Sequence, residues 1–143
     1  MNKNDLPSLA VFVELPSLAV FVEDSKARLG KNGRVTFPGF HEIYVRHTKR
    51  ALGGKMRCPV LDLGQLEATD PGKGSFTKLF KYIRERWPEF WIYAECIQTQ
   101  RFATKLLTLG FIPSEAGNFW GGAPSYYLPP LTEESKTHVQ KTL

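Results

Sequence analysis

The range 60–111 constrains the fold of this chain more than any other part of the sequence. Within it, an apolar run up to Ala68 predicts a strand, residues 69–74 (Thr-Asp-Pro-Gly-Lys-Gly) predict a turn, and Ser75–Arg86 has the spacing of an amphipathic helix. The next run, Phe90–Ile97, is almost entirely apolar, as in a central strand that is buried on both faces. A strand, a helix and a second strand in this order form a βαβ unit, so we predict that the two strands are parallel.

Antiparallel strands are predicted ahead of this unit. The β-prone runs Arg34–Phe37 and Phe40–His47 flank the turn dipeptide Pro38-Gly39 and indicate a hairpin. A turn at 50–55 then leads into the first strand of the βαβ unit. Because Pro59 cannot donate a backbone hydrogen bond, this strand is expected to start late or to lie near an edge of the sheet.

After the βαβ unit the pattern continues with a helix and a closing hairpin. Residues 100–109 have amphipathic spacing, and a glycine follows as a C-terminal stop. Short strands are predicted at 111–112 and 125–128, followed by a polar tail, 129–143. We therefore predict an α/β (α+β) fold with a central mixed sheet, antiparallel N-terminal strands, one βαβ unit and flanking helices.

The N-terminal region contains an exact repeat, because Leu-Pro-Ser-Leu-Ala-Val-Phe-Val-Glu occupies 6–14 and again 15–23. A solenoid needs longer units and at least three of them, so a recent duplication or an artificial insertion is the simplest explanation. The second copy is predicted to form a strand over Leu18–Glu23, since it adjoins the rest of the chain. Three alternatives are open for the first copy: it pairs at a sheet edge, it exchanges between protomers, or it stays outside the fold. The predicted organisation is an N-terminal extension (1–17), one domain (18–128) and the tail.

Composition limits the class of protein. A chain of 143 residues, 42% of them hydrophobic, is long enough for one buried core and too short for two ordinary domains. No apolar run approaches the ~18 residues of a membrane span and no signal-peptide pattern is present, so a soluble, cytoplasmic protein without membrane contact is expected. Cys58 and Cys96 lie in apolar runs and are expected to be reduced. No metal site is predicted, because His41, His47 and His138 have no partners at metal-ligand spacing.

The junction between the first βαβ strand and its helix suits a phosphate. A glycine turn that opens a helix points several unpaired backbone N–H groups at one spot, and the helix dipole adds partial positive charge there. The net charge of +5 also favours an anionic partner. The basic residues are scattered, however, so charge does not distinguish a phosphorylated cofactor from nucleic acid.

Two motifs carry a family resemblance. The loop 69–74 resembles the Q/R-x-x-G-x-G/A pyrophosphate loop of the GNAT superfamily of acyl-CoA N-acyltransferases, and 101–111 (Arg-Phe-Ala-Thr-Lys-Leu-Leu-Thr-Leu-Gly-Phe) looks like the second motif of that family. The resemblance covers about residues 57–128 and includes the order of the elements; small divergent members of the family occur in phages. It implies an N-acetyltransferase that passes an acetyl group from acetyl-CoA to a primary amine by direct attack in a ternary complex.

The resemblance also implies a set of site residues. Backbone groups of Leu66 and Ala68 would bond the pantetheine arm, and the pyrophosphate loop would comprise Thr69, Gly72, Lys73, Gly74 and Ser75. The first candidate for the catalytic base is Glu67, at the strand end beside the thioester, although it can equally be a solvated surface residue. The second is Glu95, because a carboxylate in a buried strand needs a raised pKa or a specific partner; a structural hydrogen-bond anchor is the alternative. Tyr126 is the candidate acid for the leaving thiolate; the alternative is purely structural, because Tyr126 and Tyr127 form a strand pair of which one is expected to lie in the core.

The sequence departs from the family pattern at three positions. Thr69 stands where the family has Gln or Arg, Pro71 removes one N–H, and Leu106 stands where many relatives carry the tyrosine acid. These departures favour a second hypothesis, a GNAT-like domain without turnover that binds nucleic acid or serves as a structural module in a virus particle. The glycines at 72 and 74 favour the enzyme. The acceptor, the acyl length and the choice between monomer and dimer are left open.

Overall fold

Three helices and six strands make up the part of the chain that the computed structural model describes, residues 15–27, 30–95, 97, 99–114 and 124–131. In chain order they are α1 (Leu18–Ser25), β1 (Asn32–Val35), β2 (Ile43–Leu52), β3 (Lys55–Gly64), α2 (Ser75–Arg86), β4 (Trp91–Ala94), α3 (Gln100–Thr108), β5 (Ile112–Ser114) and β6 (Ser125–Leu128). The predictions for Cys96, for the first nonapeptide copy and for most of the tail fall outside the described residues.

The strands form one mixed sheet with the order β1-β2-β3-β4-β6-β5. β1, β2 and β3 are antiparallel neighbours, β3 and β4 are parallel and joined through α2, and β6 is antiparallel to both β4 and β5. This confirms the predicted mixed α/β class, the N-terminal hairpin, the βαβ unit and the closing hairpin. None of the described helices is long and apolar enough to cross a membrane.

The predicted strand at Leu18–Glu23 is wrong, because this segment is helix α1. The Ser17 hydroxyl accepts a hydrogen bond from the Val20 N–H at 3.2 Å and caps the helix. The buried residues Leu18, Phe21, Val22 and Ser25 recur with helical spacing, which the β-prone composition obscured. Pairing with the sheet is limited to a single bridge between Ser17 and Thr36.

β3 is a central strand, so the expectation of a late start or an edge position is wrong. It begins at Lys55, and Pro59 pairs with Lys49 of β2. Pairing with β4 begins only at Val60, so Pro59 lies where β3 has a single neighbour and its missing N–H is tolerated. The strand ends at Gly64 and not at Ala68, because Gln65 has a positive φ of 53° that turns the chain.

The helices of the βαβ unit and its continuation agree with prediction. α2 has the predicted bounds and buries Leu79, Phe80 and Ile83 in the main core, which also contains Ala103 and Leu106 of α3. At the end of α3, Phe111 N–H donates to Leu106 O and Gly110 N–H to Leu107 O, a Schellman ending in which Gly110 takes a φ of 97°.

A smaller apolar cluster lies apart from the main core. It comprises Leu52, Cys58, Val60, Trp91 and Tyr93, with Tyr127 packed against it. Cys58 is a buried free thiol, as predicted. Alternation along β3 places Asp62 on the same face of the sheet as Val60, which brings this cluster next to the charged groups described below.

Candidate functional site

The two parallel strands diverge at their carboxyl ends. Residue pairing between β3 and β4 runs from Val60 and Trp91 to Leu63 and Ala94, and Glu95 N–H still donates to Leu63 O at 3.0 Å. Among the described residues the pairing stops there, and a cavity of 720 Å³ opens between the strand ends.

This first cavity has one wall from each strand. Gln65, Leu66 and Glu67 follow β3, and Glu95, Ile97 and Thr99 follow β4. Phe102 of α3 also lines it, and His41 and Glu42 contribute from the segment before β2. The lining therefore combines apolar surface with carboxylates at the opening between two parallel strands, where ligands commonly bind in α/β sheets.

The N-terminus of α2 presents backbone amides without a side-chain cap. Gly74 is the N-cap residue in a left-handed conformation with a φ of 75°, and the first turn contains no acidic residue. Gly72 has a φ of 88°, and a Cβ built on either glycine would meet no atom within 4 Å. The glycines are therefore needed for backbone conformation, and the space above the loop is open to an anion.

The loop before α2 is anchored at its beginning. Thr69 N–H and the Thr69 hydroxyl both donate to Gly39 O, at 2.8 and 3.2 Å, and Ala68 forms an antiparallel bridge with Phe40. These two predicted cofactor residues are thus engaged with the turn before β2. Gly72 and Gly74 remain exposed, together with the Lys73 between them.

An aromatic contact connects this helix terminus to the first cavity. Phe76, in the first turn of α2, packs edge-on against Phe102 with ring centroids 4.0 Å apart. Phe102 lines the cavity. One aromatic contact therefore connects the first turn of α2 to the lining of the cavity.

An ion cluster centred on the buried Asp62, which sequence reasoning missed, adjoins the cavity. Asp62 is fully buried and accepts four hydrogen bonds from two arginines. Arg50 binds it with two parallel bonds of 2.8 and 2.7 Å, and Arg46 donates from Nε and Nη2 at 3.2 and 2.7 Å. The signal was present, because Arg46 and Arg50 share one face of β2 by alternation and Asp62 interrupts an apolar run.

Glu95 joins this cluster and reaches the cavity. Arg50 Nη2 donates to Glu95 Oε1 at 3.2 Å, and Arg46 Nη2 lies 3.8 Å from the same oxygen. Burial raises the pKa of Glu95 and the neighbouring Asp62 carboxylate raises it further, while the two arginines oppose the shift. The Arg50 guanidinium is itself held over the Tyr93 ring, 4.1 Å from the centroid.

A second cavity of 670 Å³ adjoins the first. Its lining includes Arg34 of β1 and Tyr44 of β2, together with Gly64. Gln65 and Glu95 line both cavities. Two ligands that enter the cavities separately would therefore come together beside the Glu95 carboxylate.

The three predicted catalytic residues occupy different environments. Glu67 is exposed and lines the first cavity, and Glu95 lines both cavities. Tyr126 is buried in the main core, paired in register with Ala94, and is absent from the described residues that line either cavity. The structure thus brings the two glutamates to one cavity and leaves the tyrosine in the core.

No protein-family model, curated protein or solved structure matches this chain.

Proposed function

We propose that this chain is a GNAT-like N-acyltransferase that transfers an acetyl group from acetyl-CoA to a primary amine. The observation that carries the proposal is the divergence of β3 from β4, which leaves a cavity between two parallel strands beside an uncapped helix N-terminus. Such an arrangement suits an extended ligand with an apolar arm and a phosphate-rich end. The order of strands and helices supports the same proposal.

The residues present fit acetyl-CoA as a co-substrate. The pyrophosphate would lie against the amides of residues 72–75, where Lys73 adds a positive charge. The arm would run beside Leu66, with Ile97 and Phe102 as apolar contacts. Thr69 and Ala68 would support the loop through Gly39 and Phe40 without contacting the ligand.

Glu95 is the stronger candidate for the base. An amine with a pKa near 10.4 is mostly protonated at neutral pH, so forming the nucleophile costs about 4–5 kcal/mol unless a base takes the proton. Glu95 lies where the two cavities adjoin, and burial raises the pKa of its carboxylate, which makes it a better proton acceptor. Glu67 is exposed and serves better as a contact for the positively charged acceptor.

The chemistry assigned to the protein is positioning and proton transfer. Acetyl-CoA, when bound, would supply the activated acyl group: the new nitrogen–carbon bond would form as the carbon–sulfur bond breaks, and CoA would leave as a thiolate that takes a proton from solvent. The chain holds the acceptor in the second cavity so that its nitrogen lone pair faces the first, and the Glu95 carboxylate accepts the proton that the amine loses. Most of the rate enhancement would then come from orientation of the two ligands.

Calorimetry with acetyl-CoA tests the proposal. The wild-type chain should bind at micromolar concentration, and Gly74→Glu should abolish binding because a carboxylate would face the pyrophosphate. Gly54→Glu is the matched control: its φ of 80° is similar, its Cβ also meets no atom within 4 Å, and it lies at the β2–β3 turn, the far end of β3 from the cavity. No heat at millimolar acetyl-CoA, or equal losses in both variants, would refute the proposal.

A binding module without turnover is the second candidate. It is favoured by the burial of Tyr126 and Leu106 in the core, which leaves no tyrosine acid among the described residues that line the first cavity. This candidate predicts acetyl-CoA binding with no acetylated product from a panel of polyamines and lysine peptides. If the surface serves nucleic acid instead, the affinity should fall steeply with salt and ignore CoA.

A further inference from the structure

Helix α1 and its N-cap are built entirely from the second nonapeptide copy and the residues just after it. Leu18, Phe21 and Val22 lie in the main core, and Ser17 caps the helix. Residues 6–14 have the same sequence as residues 15–23, so every side chain that the copy places in the core is available twice.

The contacts that seat α1 belong almost wholly to the repeated segment. Pro16 O accepts a hydrogen bond from Thr36 N–H at 3.0 Å, and Leu18 N–H donates to Thr36 O at 3.2 Å. At the other end, Trp87 Nε1 donates to Glu23 Oε1 at 2.7 Å. A second segment with the same sequence can make each of these bonds.

The residues after the repeat distinguish the two copies. Ser25 is buried, and its hydroxyl lies 3.0 Å from His47 Nδ1. In the first copy the equivalent position, nine residues earlier, is Pro16. A proline cannot replace this hydroxyl and is poorly accommodated in the last turn of a helix, so the second copy is the better occupant.

We propose that the groove which holds α1 is a binding site for the nonapeptide and that residues 6–14 of the same chain fill it when the second copy is disabled. A helix formed nine residues earlier would end at Pro16, so exchange makes residues 17–31, in place of residues 26–31, the connection to β1. Lengthening a loop from six to fifteen residues makes its closure about fourfold less probable. The loss of one buried hydrogen bond costs about a further fivefold. The groove therefore favours its present occupant by roughly 20-fold or more.

Matched charge substitutions in the full-length chain test this exchange. Phe21 is buried in the core, and Phe12 is its equivalent in the first copy. Phe12→Asp should leave the folding equilibrium constant unchanged. Phe21→Asp should lower it by roughly 20- to 100-fold, since the first copy takes over, whereas the double variant should lower it by about 1000-fold or more because a buried unpaired charge remains in either register. Chemical denaturation followed by tryptophan emission measures all three.

The exchange predicts that substitutions at equivalent positions of the two copies are not additive. If Phe21→Asp is as unstable as the double variant, the first copy does not enter the groove and the proposal is wrong. Val22→Asp and Val13→Asp repeat the cycle at a second buried position. A Phe21→Asp chain that folds only as a dimer, measured by light scattering, would overturn exchange within one chain in favour of exchange between chains.

Discussion

Asp62→Asn is the most informative single substitution outside the proposed ligand contacts. The change keeps the shape of the side chain and removes its charge, and it turns one acceptor into a donor that faces guanidinium N–H groups. Asp62 is fully buried and is the shared partner of Arg46 and Arg50. The substitution therefore leaves two cations with only the more distant Glu95 as a partner.

The expected loss of stability follows from the burial of each partner. Removing one member of a buried ion pair costs about 3–5 kcal/mol when the remaining charge is fully enclosed. The side chains of Arg46 and Arg50 remain 36% and 29% exposed, so water recovers part of this cost. We expect a loss of about 2–3 kcal/mol, which for a chain of 143 residues lowers Tm by about 6–10 °C.

Urea denaturation of the variant beside a surface control provides the assay. Glu42→Gln breaks an ion pair with Arg34 at 3.1 Å, but these side chains are 36% and 57% exposed. The control should lose no more than about 0.5 kcal/mol. If Asp62→Asn is within about 0.5 kcal/mol of wild type, the arginines do not depend on Asp62 and our account of the cluster is incorrect.

Two further predictions concern the pH dependence of stability. Burial lowers the pKa of His47 below its ordinary 6.5, so the free energy of unfolding should decrease as the pH falls below about 6.5, and His47→Gln should remove this slope. Burial and the Asp62 carboxylate raise the pKa of Glu95 above its ordinary 4.5. Because the folded state then holds this proton more tightly than the unfolded state, the free energy of unfolding should decrease as the pH rises above about 4.5. Glu95→Gln should abolish the slope that Glu95 causes and leave the slope that His47 causes. Urea denaturation between pH 4.5 and 8 measures both, and slopes that neither variant changes would contradict both assignments.

Elements with strong local sequence signals were predicted correctly, and those with ambiguous signals were not. α2 was predicted with its observed bounds because its apolar spacing, the glycine before it and the proline after it all agree. The closing hairpin was found for similar reasons. The strand at Leu18–Glu23 failed because a short β-branched and aromatic run fits both periods, and only the Ser17 cap and the groove beneath it decide for a helix.

The candidate site was predicted only in part. The loop glycines were recognised because backbone positions with a positive φ are usually occupied by glycine. Glu95 lies between the two cavities because β3 turns away at Gln65, which lines both of them. No local sequence pattern predicts a turn at that residue. Tyr126 was chosen over Tyr127 without knowledge of the sheet register, which places it in the core.

Local chemistry, read along the chain, determined the mixed class of the fold, the parallel βαβ unit and the glycine-opened helix, because periodicity and turn residues act between near neighbours. Tertiary structure alone decided that Arg46 and Arg50 meet Asp62, that the strand ends separate into a cavity, and that the second nonapeptide forms a helix. These outcomes depend on register and burial between segments far apart in sequence, where the free energy of a contact is set by what surrounds it.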